Sequence, residues 1–238
     1  MLNPSLYPAI FARKSIRKFS DAPLTGDQLA QVKAEIAAVT PLLPNEIFAL
    51  ELHTSKEGWR IYGYCENKPL SNVNLGYVMQ QLDLALHVHG LGRLWYGFGR
   101  KPGDITPPKG LSYAMCLKIG NAAEELTREI HEFDRKQSVT PDAALVELLE
   151  PARLAPSAMN SQPWTFTAHG DDIHVWRDKL GLKKLILDRM NLIDVGISLC
   201  HAVLALERAG KTVTAKTCAA APMDDLQYVV TLGLANKN

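Results

Sequence analysis

The stretches NLGYVMQQLDLA, residues 74–85, and NLIDVGISLCHA, residues 191–202, decide the architecture, because they carry one apolar helical pattern twice. At an offset of 117, Asn74, Leu75, Val78, Leu82 and Ala85 match Asn191, Leu192, Val195, Leu199 and Ala202. Leu75, Val78, Met79, Leu82 and Leu86 recur at helical spacing, as do Leu192, Val195, Leu199, Ala202 and Leu206. Both stretches carry further apolar residues on their other faces, so the pattern predicts two long helices covered on most sides.

Outward from these helices the repeat continues. At an offset of 115, Tyr113, Leu117 and Asn121 match Tyr228, Leu232 and Asn236 inside YAMCLKI and YVVTLGL, two short apolar runs that read as buried strands. Upstream, Thr25 and Asp27 announce a helix over residues 27–39. Thr140, Pro141 and Asp142 give a cap, a first-turn proline and an acidic first turn for another over 141–154. IFALELHT and WTFTAHG follow these helices as strands. Each half then reads helix, strand, long helix, strand, which predicts an α+β (mixed α/β) fold with a central mixed sheet flanked by helices in three layers. The polar stretch 121–140 is the natural joint, with a boundary near residue 137. The reading is two tandem halves, 1–137 and 138–238, in one integrated globular unit. Such halves suggest a fused two-fold dimer, which makes a monomer feasible and lets one copy of each interface site decay.

Composition narrows the partners. The 26 basic and 25 acidic residues leave a formal charge of +1, so no global field draws nucleic acid or an anionic membrane, and anion recognition must be local. Cys65, Cys116, Cys200 and Cys218 lack CxxC spacing and sit in apolar stretches, where reduced buried thiols are expected and no metal site is suggested. Pro4 and Pro8 interrupt any leader-like run, and no later apolar stretch reaches ~18 residues. The expected address is cytoplasmic.

Two segments carry candidate chemistry. ARKSIRKF, residues 12–19, places Arg13, Lys14, Ser15 and Arg17 at the end of a short amphipathic helix led by Leu6, Ile10 and Phe11. Guanidinium groups bind phosphate through paired bonds and a hydroxyl adds a donor, so the cluster is a compact anion site or else a solvated basic face. ARLAPSAMNSQPWTF, residues 152–166, stops a helix at Pro156 and then offers Ser157, Asn160 and Gln162 in an irregular segment. Such a loop presents polar groups to the rim of a planar ligand, or simply connects a helix to a strand.

Together RKSIR and APSAMNSQPW resemble the nitroreductase family of FMN-dependent enzymes, and HGLGRLWYGFGR, residues 89–100, resembles that family's Gly-Leu-Gly-x-x-Trp-x-Gly segment. The first two lie about 140 residues apart, whereas the family dimer brings them together from different subunits. The second half carries EFDRKQSV and ERAGKTVTA, and the first half TPLLPNEIF, where the matching motifs would fall. The resemblance is therefore closest to fused single-chain members, with one FMN site per chain. It implies that Arg13 and Ser15 hold the phosphate while Lys14 and Arg17 reach toward the ribityl chain and ring. It further implies that Trp95, Tyr96 and Gly97 border the ring, Pro156, Ser157, Asn160 and Gln162 close it, and Arg135 completes the phosphate site. Tyr62 and Gly63 match a Tyr-Gly near the flavin in fused relatives.

The implied chemistry is ping-pong hydride transfer from NADH or NADPH through the flavin to a small-molecule acceptor such as a nitroaromatic or quinone, with no catalytic side chain. A flavin carrier or sensor without turnover, and a descendant without cofactor, stay open as alternatives. His87 and His89 cannot share a helix face and read as ordinary histidines. Trp59, Tyr62, Tyr64 and Trp176 read as packing residues, the Tyr62-Gly63 match notwithstanding. Pro151 departs from the smoother helix of relatives and bears on where Gln162 falls.

Overall fold

The computed structural model describes residues 1–96, 105–179 and 184–237. The first half runs α1 (Gly26–Ala38), β1 (Phe48–Ser55), β2 (Gly58–Cys65), α2 (Pro69–Val88), β3 (Gly92–Trp95) and β4 (Ser112–Gly120). The second runs α3 (Glu150–Arg153), β5 (Trp164–His169), β6 (Asp172–Asp178), α4 (Lys184–Arg208), β7 (Lys211–Lys216) and β8 (Leu226–Asn236). The α+β class holds, and both long helices, the expected strands and the helix after Thr25 are present. Thr25 caps α1 through a reciprocal box with Gln28.

The sheet differs from the expectation of one mixed sheet. Two four-stranded sheets form, ordered β1-β2-β4-β3 and β5-β6-β8-β7, and every neighbouring pair is antiparallel. The long helix does return the chain parallel to the strand before it, but β3 lands one place beyond β2, and β4 fills the gap. No parallel pair results among the described residues. Both sheets carry a register irregularity in the same strand, at Gly63/Tyr64 and at Val175/Trp176.

Packing runs sheet, helix, helix, sheet: α2 lies on the first sheet, α4 on the second, and the two helices pack on each other. This explains the absence of a polar face, since every residue of α2 from Ser71 to Leu86 is buried. The helices meet at two glycines. A Cβ on Gly76 would lie 2.0 Å from the Ile193 carbonyl oxygen, and one on Gly196 1.9 Å from that of Val73. Only a residue without a side chain permits such an approach. Residues 187–208 of α4 are long and apolar enough to cross a membrane, contrary to the expectation that no run reaches that length. Since its most apolar 18-residue stretch is 94% buried in the molecule, it is a core helix.

Three local expectations change. The helix expected over 141–154 is a 3₁₀ turn, Ala143–Leu145, followed by the one-turn α3, because Pro151 lacks the N–H that continues a helix and so sits in a first turn. The amphipathic helix before Arg13 is a pair of 3₁₀ turns, Pro4–Leu6 and Pro8–Phe11, each opened by proline. Cys65, Cys116 and Cys200 are buried, but Cys218 is exposed beside Thr231 and Tyr228.

Candidate active site

Residues 13–19 run extended and are strapped from both edges. Ile16 N–H donates to the Arg93 carbonyl on β3 at 2.9 Å, while Arg13 and Phe19 bridge to Thr127 and Ala122. Ile16 is fully buried, and an extended chain alternates its side chains. Ser15 and Arg17 therefore face the other way, into a cleft. Arg13 shares their parity but is 1% exposed, with its Nε 2.8 Å from Asp83 Oδ2 of α2 and its Nη2 donating to Ser15 Oγ at 3.4 Å. Arg93 approaches the other Asp83 oxygen at 3.6 Å and donates to the Lys14 carbonyl at 3.2 Å. One buried carboxylate thus anchors two guanidiniums and fixes the backbone of the basic segment. The Arg17 and Lys18 amides both donate to Glu124, the latter at 2.8 Å.

The opposite wall is the loop after α3. Leu154 and Ala155 are fully buried, Ser157 is extended, and Met159, Asn160 and Gln162 adopt positive φ of 53°, 55° and 49°. Such backbone is costly for residues with side chains and persists only where surroundings fix it. Here they do. Ser157 Oγ accepts from Gln162 N–H at 2.9 Å, and the two Asp194 carboxyl oxygens lie 3.1 Å from Ala158 N. Arg135 Nη1 donates to Asn160 Oδ1 at 2.8 Å, Asn160 Nδ2 to the Asp134 carbonyl at 3.0 Å, and Lys136 N–H to Gln162 Oε1 at 2.7 Å. The polar stretch 121–140 is thereby part of the site's frame.

Between these walls lie two adjoining clefts that share Ser15, Arg17, Pro156, Ser157 and Met159. The first, about 230 Å³, has apolar walls from Leu94, Trp95 and Met115 on the first sheet and Met190 and Ile197 on α4. Asp194 lies among them, 2% exposed, and burial pushes its carboxyl up to about 8 against the single Ala158 hydrogen bond that lowers it. The second, about 540 Å³, is lined by Arg13, Lys14, Arg17, Arg128, Arg135 and Asn160, with Glu124, Glu132 and Asp134 on its rim. Burial first, and then the neighbouring Arg13 charge, bring both Arg128 and Arg135 down to about 10. Mutual repulsion among partly buried cations of this kind falls when an anion enters. Trp95 Nε1 is buried without a partner among the described residues, an unspent donor beside the apolar cleft.

The structure thus brings Arg13, Lys14, Ser15, Arg17, Trp95, Arg135, Pro156, Ser157 and Asn160 to one place. Tyr96, Gln162, Tyr62 and Gly63 do not line it. Tyr96, next along the chain from Trp95, is 41% exposed beneath the Arg60 guanidinium. Gln162 is buried, and its amide is spent on Lys136 and Asn160. Tyr62 packs with His53 and Tyr113, while Gly63 faces Met79 and Leu75 of α2. Gly97 lies outside the described residues. Gly90, with φ of 72°, follows the His89 C-cap of α2 and turns the chain into β3. Sequence reasoning missed Asp194, Met190, Ile197, Met115, Leu94 and Arg128. The first three share one face of α4, where a lone Asp in an apolar run was the available signal.

Fold and site define an α+β protein whose two halves supply opposite walls of a cleft with a cationic end and an apolar end. The chain belongs to a nitroreductase family, since the family model described as "Putative TM nitroreductase" matches residues 5–206. Among solved structures it is similar to a "putative nitroreductase" of Thermotoga maritima MSB8, with 21% identity and a TM-score of 0.67 over 95% of this chain and 92% of that one. A nitroreductase with bound FMN from Desulfitobacterium hafniense DCB-2 aligns at 14% identity and TM-score 0.43, covering 54% of this chain and 94% of its own. A nitroreductase family protein of Clostridium difficile 630 aligns at 18% and 0.44, covering 57% and 94%. No curated protein matches the sequence.

Proposed function

We propose that the chain binds one FMN across its two halves and passes hydride equivalents from NADH or NADPH to a small acceptor such as a nitroaromatic or quinone. The observation that carries this reading is the cleft pair itself: the cationic end formed around Ser15 opens into the apolar end beneath Pro156 and Ser157. FMN has the same two-part chemistry. Its phosphate suits Ser15, Arg128 and Arg135, where each charge-assisted bond also relieves repulsion between cations. Its ring suits the walls of Leu94, Trp95, Met115 and Ile197, with the Trp95 indole N–H as an available donor.

When bound, the flavin supplies two-electron hydride chemistry, and the chain's own residues bind and orient it. Asp83 holds Arg13 and, through Arg93, the Lys14 carbonyl, so the basic segment reaches the ligand already shaped. Arg17 places positive charge at the junction of the clefts, where it favours an anionic reduced ring. Met159, 78% exposed and shared by both clefts, buries apolar surface when a ring enters. The two tandem halves, meeting near residue 137, make one such site per chain and allow a monomer to be complete.

Protein reconstituted with FMN should hold one equivalent, bleach with NADH or NADPH under anaerobic conditions, and regain colour with a quinone or nitroaromatic. FMN retained without bleaching would favour a flavin carrier, and failure to retain FMN would remove the reading.

A further inference from the structure

We propose that Asp194 stands in the apolar cleft as a neutral carboxylic acid and offers its proton as a hydrogen bond to the polar edge of the flavin ring. This rests on the proposed FMN site and gives a role to a residue that lies outside RKSIR, HGLGRLWYGFGR and APSAMNSQPW.

Asp194 is short of donors. It is 2% exposed on α4, and both of its oxygens share a single donor, the Ala158 N–H, at 3.1 Å. An ionised carboxylate has about four acceptor sites. Among the described residues no cation lies within ion-pair distance of it, and it faces Met190, Ile197, Leu94 and Met115. The N-terminal segment brings Arg17, the one charged side chain besides Asp194 among the described lining residues of this cleft, together with Ser15. The loop brings Ser157, β3 brings Trp95, and on α4 itself the neighbouring polar groups are Asn191 and Ser198, the latter bonded to the Ala152 carbonyl. A charge there is therefore undersatisfied, and burial favours the protonated form.

The protonated form reverses the need. One oxygen still accepts from Ala158, while the apolar side chains Leu94, Met115, Met190 and Ile197 that line the cleft beside it offer the O–H no acceptor. A flavin ring carries the acceptors O2, O4, N1 and N5 along its polar edge beside one donor, N3–H; the protonated acid pairs with the acceptors, whereas an ionised one could meet only N3–H. A ring in the cleft also excludes the remaining water, which raises the cost of ionising Asp194 further. Ligand binding and proton retention then favour each other by linkage.

Below a pH of about 8 the acid is already protonated and binding is insensitive to this group. As pH rises past that value the free protein loses the proton that the complex keeps, so affinity falls, with a limit of about tenfold per pH unit. Asp194→Asn keeps an acceptor for Ala158 and a permanent N–H donor but cannot titrate.

FMN affinity, followed by quenching of its fluorescence from pH 7 to 9.5, should fall about tenfold more in the native chain than in Asp194→Asn. The phosphate and ring titrations are common to both proteins and cancel in that comparison. A second measurement needs no variant: calorimetry at pH 8.5 in buffers of different ionisation enthalpy should show proton uptake when FMN binds. Equal pH slopes in the two proteins, or no proton uptake, would overturn the role of Asp194 and leave the flavin site standing. Absence of FMN binding to the native chain at every pH would instead overturn the flavin reading and this inference with it.

Discussion

At the scale of single residues, Asp194 and Arg135 show how burial sets behaviour that a sequence does not display. The folded-state carboxyl of Asp194 lies near 8, above the 3.8 of an exposed aspartate. Between those values the unfolded chain releases a proton that the folded chain keeps, so this group contributes stability that is full below about pH 4 and lost as pH rises to about 8. Asp194→Asn should therefore melt higher than the native chain at pH 8.5, by about 2–4 °C for each ~1 kcal/mol recovered, and the gap should close toward pH 4. A variant that melts lower at pH 8.5 would refute the placement of an unpaired acid there. Arg135 carries the opposite lesson. Its guanidinium donates to Asn160, Asp134 and Leu154, so it both frames the loop and points charge at the cationic cleft. Arg135→Ala should weaken FMN binding by about ten- to a hundredfold, the scale of one or two charged hydrogen bonds, while riboflavin, which lacks the phosphate, changes far less. Equal losses for both ligands would mean that Arg135 serves the loop alone. The residues near 15 and 157 were legible because RKSIR and APSAMNSQPW together resemble one family's motifs, while each alone also suited a solvated face or a plain connection. Asp194 was not, since only folding reveals that its helix face opens on a cavity.

At the scale of elements, the legible parts were those with strong periodicity and caps. The two long helices, the helix after Thr25 and the runs at 113–119 and 228–234 all fold as their patterns indicate. The missed strands have physical reasons. β2 and β6 follow tight two-residue turns, Lys56–Glu57 and Gly170–Asp171, and β7 alternates half-buried and exposed residues in only six positions, a pattern that also suits a loop. No helix starts at Thr140: the short turn begins at Ala143 behind Asp142, which makes no side-chain cap bond, and Pro151 opens a separate turn, so the start signals overstated the element. The crossing of α2 and α4 gives a sharper test. Alanine for glycine inside a helix ordinarily gains up to about 1 kcal/mol. Gly76→Ala and Gly196→Ala should do the reverse and cost about 3 kcal/mol or more, because each new methyl would meet backbone of the opposing helix at 2.0 or 1.9 Å, and backbone cannot turn aside as a side chain can. Gly26→Ala, in the first turn of α1 with nothing within 4 Å, should be neutral or mildly stabilising. Urea midpoints for the three variants decide the matter, and unchanged stability at Gly76 and Gly196 would contradict so close a crossing.

At the scale of the whole molecule, the arrangement is two sheets of like topology joined through two buried helices, with a site to which neither half alone contributes both walls. The apolar seam between α2 and α4 has no solvent-facing alternative: residues 71–86 are buried throughout, so separating the halves would expose a face as hydrophobic as a domain core. The halves should then unfold together. FMN, whose proposed contacts come from both, should stabilise the single transition as one unit rather than protect one half. A ligand at a hundred times its Kd contributes about 2.7 kcal/mol, which for a chain of this size raises Tm by roughly 5–11 °C. Calorimetry with and without FMN should accordingly show one transition whose midpoint rises with ligand concentration. Two transitions, with FMN moving only one of them, would mean that the halves are energetically separate and that the cleft draws its binding energy from one side.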